Sequence, residues 1–434
     1  MFFSEPTLWG LVPLVVFAIT IFRGWHPLVS IGLSVVVGAV MAGIPPAAVA
    51  ADIEESLGSF LAYVGLIILA GGGLGKVAER TGVARNIVRF IIDKIGADTP
   101  TKVIIGTGVA STVMVALLGT LAGANAIIAP VVIPIMAVAG VSSAVAAVVF
   151  QGFGATGLFL GPFTPPMVTL MGLTGLSYPQ VVLFAGLPIA VLMWITTYFY
   201  AKRILVPSLE KAAYSDEVVG ELSADGGDNE RSAAIPTAAF LLSLLGFIVY
   251  GVIIEGGATF AIFVITITAI ITGLAGRLKG RELAEAFVDG ARPLLWLFFA
   301  FVLFEPFLNY MEEMGGFTRV AELLEPFLDE GGSSLFLILV AILGIAGVPG
   351  AAVAQKQLMD ELFGPLALSL GVPMAGWALV LLVGSQITSF LYPTGDTLGS
   401  MGLARSSDLR NMILFGVVAS IPPLLYVVFA AFVY

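Results

Sequence analysis

Apolar stretches long enough to cross a membrane recur along the whole sequence. The first two occupy Leu8–Phe22 and Leu28–Ala42, and similar stretches continue to the last residues. A transmembrane helix needs about 20 apolar residues, because each residue adds about 1.5 Å across a hydrocarbon core about 30 Å thick. Charged residues make up 11% of the chain, whereas soluble domains contain about 25%. The sequence therefore predicts an all-α polytopic membrane protein.

The composition also argues against several kinds of chemistry. The chain has no cysteine and a single histidine, His26, so thiol catalysis and cysteine metal sites are excluded. Neither a Gly-x-Ser-x-Gly motif nor a cluster of metal ligands occurs in the sequence, which argues against an enzyme. The net charge of −10 comes from acidic loops and argues against nucleic-acid binding. We expect no cofactor beyond a coupling ion.

Two of the apolar helices are interrupted by glycine and proline. One interruption lies in Phe153–Pro166 and the other in Gly384–Asp396. Helix breaks at membrane depth are tolerated where the backbone is buried in protein or lines a cavity. Paired breaks in the two halves of a transporter mark its binding site. We therefore expect substrate to bind between two broken helices, 144–174 and 375–403.

The second half of the chain repeats the first at a nearly constant spacing. Phe159–Pro162 matches Phe390–Pro393, and Pro134 matches Pro365, both at 231 residues. Other matches keep the same order along nearly the whole of each half. They predict an internal duplication into two repeats, 1–205 and 234–434. A polar segment without helical periodicity, 206–233, is predicted to link them.

Each repeat is predicted to contain five full spans and one helical hairpin, so the second repeat should be inverted in the membrane. The hairpins, 100–140 and 333–372, are predicted to enter the membrane and turn back; pairs of ordinary spans are the alternative. With the N-terminus outside, all basic residues except Arg319 and Lys356 fall on the cytoplasmic side. We therefore expect both termini to be external and the linker to be cytoplasmic.

Polar and glycine residues cluster at the predicted tips and breaks. Half-helix N-termini favour anions, and carbonyl groups at half-helix C-termini can coordinate Na⁺. Each polar side chain, taken singly, is equally suited to satisfying helix backbone. The candidate residues for binding substrate or an ion are Thr120, Gly123, Asn125, Thr156, Thr164, Gly350, Ser385, Gln386, Thr388 and Thr394.

Ionisable residues at membrane depth complete the set of candidates. Asp396 lies at the second break, where it is predicted either to bind Na⁺ or a proton, or to cap the resuming helix. Asn125 is a further candidate ligand for Na⁺. Lys356 lies about two turns past the second tip. It is predicted either to pair with Asp360, four residues later, or to face a carboxylate of the substrate.

Two opposed hairpins and two broken helices resemble the ion transporter superfamily, which includes divalent-anion/sodium symporters, gluconate permeases and C-type sodium/proton antiporters. The resemblance implies a homodimer in the cytoplasmic membrane. It also implies a secondary active transporter that moves a small organic anion with Na⁺ or H⁺, and we expect an elevator-type mechanism. The hairpin tips lack the Ser-Asn-Thr sequence of the divalent-anion symporters, which argues against a dicarboxylate substrate.

Other functions are alternatives to organic-anion transport. Asp396, Asp360 and Glu361 would serve a sodium/proton antiporter. The segment Gly161–Pro166 also resembles the membrane subunit of binding-protein-dependent transporters, which is a further alternative. An open channel is disfavoured, because opposed hairpins with helix breaks indicate a site that can be occluded.

Overall fold

The computed structural model describes residues 6–215, 233–256, 258–347 and 352–433. The regular structure of these residues is entirely helical, which confirms the predicted all-α class. Among them, nine helical segments are long and apolar enough to cross a membrane. The α-helices are α1 (Val12–Phe22), α2 (Pro27–Ala42), α3 (Pro46–Ser56), α4 (Phe60–Arg80), α5 (Val83–Ile95), α6 (Pro100–Leu118), α7 (Leu121–Val138), α8 (Ser143–Leu160), α9 (Pro165–Thr174), α10 (Tyr178–Val181), α11 (Leu187–Ala212), α12 (Ala234–Ile253), α13 (Ala261–Ala275), α14 (Gly280–Ala291), α15 (Leu295–Glu313), α16 (Gly316–Leu343), α17 (Ala352–Ser369), α18 (Met374–Gln386), α19 (Thr388–Leu391), α20 (Gly395–Leu403) and α21 (Leu409–Ala431).

Proline and glycine set the ends of many of these helices. α2 begins with Pro27 and is followed by Gly43, whose φ of 75° is left-handed. α6 begins with Pro100 and is followed by Gly119 at φ 73°. Proline suits the first helical position because its missing N–H would have no partner there, and glycine adopts a left-handed φ without strain. The helix ends were therefore readable from the sequence.

The early long helices of the two halves pack against one another. α15 contacts α2 and α4, and α4 also contacts α13 and α14. α4 and α14 cross at Gly72 and Gly290, where a Cβ on either glycine would overlap the carbonyl oxygen of the other. Small residues at a helix crossing let the backbones approach closely. These helices form one packed group.

The predicted hairpins and broken helices form a second group. α6 and α7 pack on α8, and α16 and α17 pack on α18. α8 approaches α6 through Gly157 and Gly161, whose Cβ atoms would overlap the carbonyl oxygens of Thr112 and Ala116. Each hairpin also reaches the other half, since α7 contacts α20 and α17 contacts α9. Both breaks are thus enclosed by residues from both halves of the chain.

The predicted linker, 206–233, begins later than expected because α11 continues to Ala212. Tertiary contacts hold this extension: the Ser208 and Ser142 hydroxyls are 2.6 Å apart, and Ser143 Oγ donates to the Ala212 carbonyl. Residues 216–232 lie outside the described part of the chain. The second hairpin, expected from 333, is continuous with the preceding helix in α16 and separated from it only by non-helical Gly332.

The inverted arrangement of the two repeats stays a prediction, and single cysteines in this cysteine-free chain can test it. Exposed positions are available on α3 (Glu54), α5 (Lys94), α14 (Arg281) and α16 (Glu322). In intact cells, an impermeant thiol reagent should label cysteines at Glu54 and Glu322 but not at Lys94 and Arg281. Labelling of Glu54 without Glu322 would contradict the inversion.

Candidate functional site

Both broken helices stop and resume within a few residues. α8 and α9 are separated at 161–164, and α19 and α20 at 392–394. The residues preceding the resumed helices, Thr164 and Thr394, both have extended backbone and lie 230 residues apart. Thr394 Oγ1 accepts a hydrogen bond from the Thr397 N–H, whereas Thr164 Oγ1 donates to the Leu158 carbonyl at 2.7 Å. The two threonines therefore stabilise their breaks in different ways.

Asp396 lies in the first turn of α20 and is not its cap, because Thr394 takes that position. The capping role considered for Asp396 is therefore wrong. Its side chain is half-buried. It forms no hydrogen bond or ion pair with any residue that the structure describes. A carboxylate beside a helix N-terminus is stabilised by the helix dipole, so Asp396 is held there as an anion with free oxygen atoms.

The tip of the first hairpin lies at the first break. A Cβ on Gly119 would be 3.6 Å from Pro165 Cδ and 3.8 Å from Thr164 Cα. Thr120 follows as the cap of α7, but its side chain makes no capping hydrogen bond. The first N–H groups of α7 thus keep free hydrogen-bonding capacity beside the start of α9.

The same tip also approaches α20, the helix that carries Asp396. A Cβ on Gly399 would lie 3.8 Å from the Ala122 Cβ. Gly123 is exposed, and a Cβ there would meet only Thr120 Oγ1 of its own helix, at 2.6 Å. The structure therefore brings Thr120, Gly123 and the helix of Asp396 together from opposite halves of the chain.

The second hairpin approaches the second break in the same way. The Tyr392 hydroxyl, at this break, donates to the Ile345 carbonyl at 3.0 Å. Ile345 lies just before the predicted tip. Residues 348–351, including the candidate Gly350, lie outside the described part of the chain.

Gln355 fastens the second hairpin to α18 and was missed in the sequence. Its Nε2 donates to the Gly344 carbonyl at 2.8 Å and to the Gly384 carbonyl at 2.9 Å. Its Oε1 accepts from Thr388 Oγ1 at 3.4 Å. The candidate Ser385 bonds only to backbone, through Leu382. Thr388 and Ser385 therefore serve local structure in this conformation.

Lys356, the next residue, is fully buried at 0% exposure, and its Nζ has no hydrogen-bond partner within the described ranges. The predicted pairing with Asp360 is wrong, because Asp360 instead accepts a hydrogen bond from Trp377 Nε1 at 2.6 Å. Removing a charged ammonium from water costs several kcal/mol unless a counter-charge accompanies it. Lys356 is therefore a buried cation that lacks an anion.

Asn125 occupies the corresponding position of the first hairpin, 231 residues earlier. It is also fully buried, but both of its polar atoms have partners. Its Oδ1 accepts from Ser111 Oγ at 2.6 Å, and its Nδ2 donates to the Phe150 carbonyl at 3.2 Å. Asn125 joins the hairpin arms to α8, whereas Lys356 leaves its position uncompensated. The two halves of the site therefore differ in charge.

Two candidates face away from the tips. Thr156 Oγ1 accepts from Trp194 Nε1 at 2.7 Å and lies 3.2 Å from Thr112 Oγ1, so it ties α8 to α11 and α6. Gln386 lines a small cavity of about 20 Å³ beside Phe159 and Ser420. Its Nε2 is buried without a partner in the described structure. The structure does not bring these two residues to the tips.

Equivalent glycines, absent from the sequence candidates, pack the last helices against the breaks. A Cβ on Gly186 would overlap the Phe159 carbonyl oxygen, and a Cβ on Gly416 would overlap that of Phe390. Gly186 ends a π-helical turn that starts at Val182. The phenylalanines were noted as a repeat match, and their spacing is the signal that could have found the glycines.

Comparison with known proteins identifies the kind of molecule that has this architecture. The family model DcuC, described as C4-dicarboxylate anaerobic carrier, matches residues 48–433. The Neisseria gonorrhoeae MtrF structure, described as illuminating a class of antimetabolite efflux pumps, is 15% identical with a TM-score of 0.58, and 94% of each chain is covered. The Alcanivorax borkumensis YdaH transporter is 14% identical with a TM-score of 0.53, covering 88% of this chain and 86% of that one.

At these identities the two structures show a shared fold alone. No curated protein sequence matches the chain. Together the matches confirm the predicted membership of a transporter superfamily, although they do not single out the gluconate permeases.

Proposed function

The chain belongs to the DcuC family of C4-dicarboxylate carriers, and on that basis we propose that it moves a small dicarboxylate across the cell membrane by secondary active transport. It is a multi-pass membrane transporter and not an enzyme. The family description points in the opposite direction from the hairpin tips, whose sequence argued against a dicarboxylate. The tips therefore differ from those of the divalent-anion symporters without excluding this substrate class.

The observation that carries the proposal is the buried, unpaired ammonium of Lys356. A carboxylate of the substrate would supply the missing counter-charge, and a charge-assisted hydrogen bond is about twice as strong as a neutral one. Lys356 lies on α17, which packs against α9 beside the first break. We propose that one carboxylate of the substrate binds there.

The second carboxylate needs another group of donors, and the helix N-termini at the breaks differ in suitability. α9 starts with Pro165 and Pro166, which have no N–H groups to offer. α20 carries Asp396 in its first turn, which would repel an anion. α7 has neither obstacle, and its first turn includes exposed Gly123. The proposal therefore places the second carboxylate at the N–H groups that follow Thr120.

Asp396 suits a cation better than a substrate anion, because its carboxylate has no partner in the described structure. We propose that it binds the coupling ion, Na⁺ or H⁺, beside the first hairpin tip. Asn125 is a weaker candidate for Na⁺, because Ser111 already donates to its Oδ1. An elevator-type movement of the hairpin and broken-helix group, within a homodimer with external termini, completes the proposal.

Uptake into proteoliposomes tests this function. Labelled four-carbon dicarboxylates should accumulate under either an imposed Na⁺ gradient or an imposed pH gradient. A four-carbon monocarboxylate should accumulate far less, since it would engage only one of the two anion-binding points. Proton movement driven by Na⁺ without any organic acid, together with no dicarboxylate uptake, would instead favour the sodium/proton antiporter.

A further inference from the structure

Gln151 is the only polar amide in α8, a helix otherwise built from apolar and small residues. Its side chain is 1% exposed. Nε2 donates to the Ser389 carbonyl at 3.1 Å, and Oε1 accepts from Ser400 Oγ at 3.0 Å. Both partners belong to the second half of the chain, more than 230 residues away in sequence. No hydrogen bond of comparable reach ties the first broken helix to residues of the second half within the described structure.

The two partners of Gln151 lie on opposite sides of the second break. Ser389 belongs to α19, before the break, and Ser400 belongs to α20, after it. Thr397 Oγ1, also on α20, donates to the same Ser389 carbonyl at 3.1 Å. One side chain of α8 therefore holds both halves of the other broken helix, and a loss of either bond would free one half relative to the other.

We propose that Gln151 is a positioning residue that fixes the geometry of the second break, and thereby the first turn of α20 with Asp396. This inference rests on the proposed transport function. It assigns no contact between Gln151 and the substrate. Its effect on transport is indirect: a break held in one geometry presents the coupling-ion carboxylate at a fixed place beside the first hairpin tip.

A purely structural role would have different consequences. The neighbouring Gly152 already packs closely, since a Cβ there would overlap Thr197 Oγ1. Thr197 Oγ1 is buried and has no partner among the described residues, so Thr197→Val removes a polar atom from the same region without removing a link to the break. It is a matched control for general effects on packing.

The first experiment measures dicarboxylate uptake by purified variants in proteoliposomes. Gln151→Leu should raise KM about tenfold, the effect of losing roughly 1.5 kcal/mol of hydrogen bonding. Ser400→Ala should raise it less, because the bond to Ser389 remains. The double variant should be no worse than Gln151→Leu, because Ser400 acts through Gln151. Thr197→Val should leave KM unchanged.

The second experiment reads the geometry of the break without any substrate. A Cβ on Gly395, at the start of α20, would meet no atom within 4 Å, so Gly395→Cys gives an accommodated reporter in a chain without other cysteines. Gln151→Leu should change the rate of maleimide labelling at this position several-fold, whereas Thr197→Val should not.

The outcomes separate this inference from the proposed function. A wild-type protein that carries no dicarboxylate contradicts the proposed function, while a changed labelling rate in Gln151→Leu still supports the positioning role. An active wild type with unchanged KM and unchanged labelling in folded Gln151→Leu overturns the positioning role. A lower melting temperature with both parameters unchanged shows that Gln151 serves packing only.

Discussion

Lys356→Gln should raise the KM for a dicarboxylate about ten- to a hundredfold, because losing a charge-assisted hydrogen bond costs roughly 1.5–3 kcal/mol. The same variant should melt at a higher temperature than the wild type in the absence of substrate. The reason is that glutamine does not carry a charge into the fully buried position where the ammonium lacks a partner. Uptake kinetics and thermal unfolding in detergent measure the two effects on one preparation.

Lys94→Gln is the matched control for this variant. Lys94 is an exposed lysine at the end of α5, remote in sequence from both hairpin tips, with its Nζ 5.7 Å from the centre of the Phe90 ring. Its replacement should change neither KM nor melting temperature appreciably. If Lys356→Gln unfolds at a lower temperature and keeps the wild-type KM, the ammonium has a structural partner and does not bind substrate.

Gly416→Ala should strongly destabilise the protein, because the added Cβ would overlap the carbonyl oxygen of Phe390 at the second break. Overpacking a close contact costs about 1–3 kcal/mol, and here the obstructing atom belongs to the backbone and cannot rotate away. The gain in helix propensity from glycine to alanine, about 1 kcal/mol, should not offset that cost. We expect a lower melting temperature and reduced transport.

Gly246→Ala provides the opposite outcome within the same protein. Gly246 lies inside α12, and an added Cβ would meet no atom within 4 Å. This variant should therefore keep or slightly raise the melting temperature, since alanine favours the helix. Equal melting temperatures for Gly416→Ala and Gly246→Ala would show that α21 can move away from the break, and that the close approach is not required.

The sequence by itself determined the elements of this protein and the places where they break. Hydrocarbon thickness dictates the length of an apolar helix, and proline and glycine restrict the backbone locally. Thr394 was recognised as a candidate cap, and Pro165 as the start of a resumed helix, from these local rules alone. The helical hairpins and both broken helices were located for the same reason, although re-entry and inversion stay predictions.

Only the tertiary structure decided which side chains have partners. Helical spacing made Asp360 the local partner of Lys356, yet Trp377 from the next helix takes that carboxylate. Gln151 has partners more than 230 residues away. α8 and α18 are apolar around their whole circumference, so no hydrophobic stripe indicates which face meets which neighbour. The crossing of helices from the two halves sets those contacts, and with them the unpaired charge that distinguishes Lys356 from Asn125.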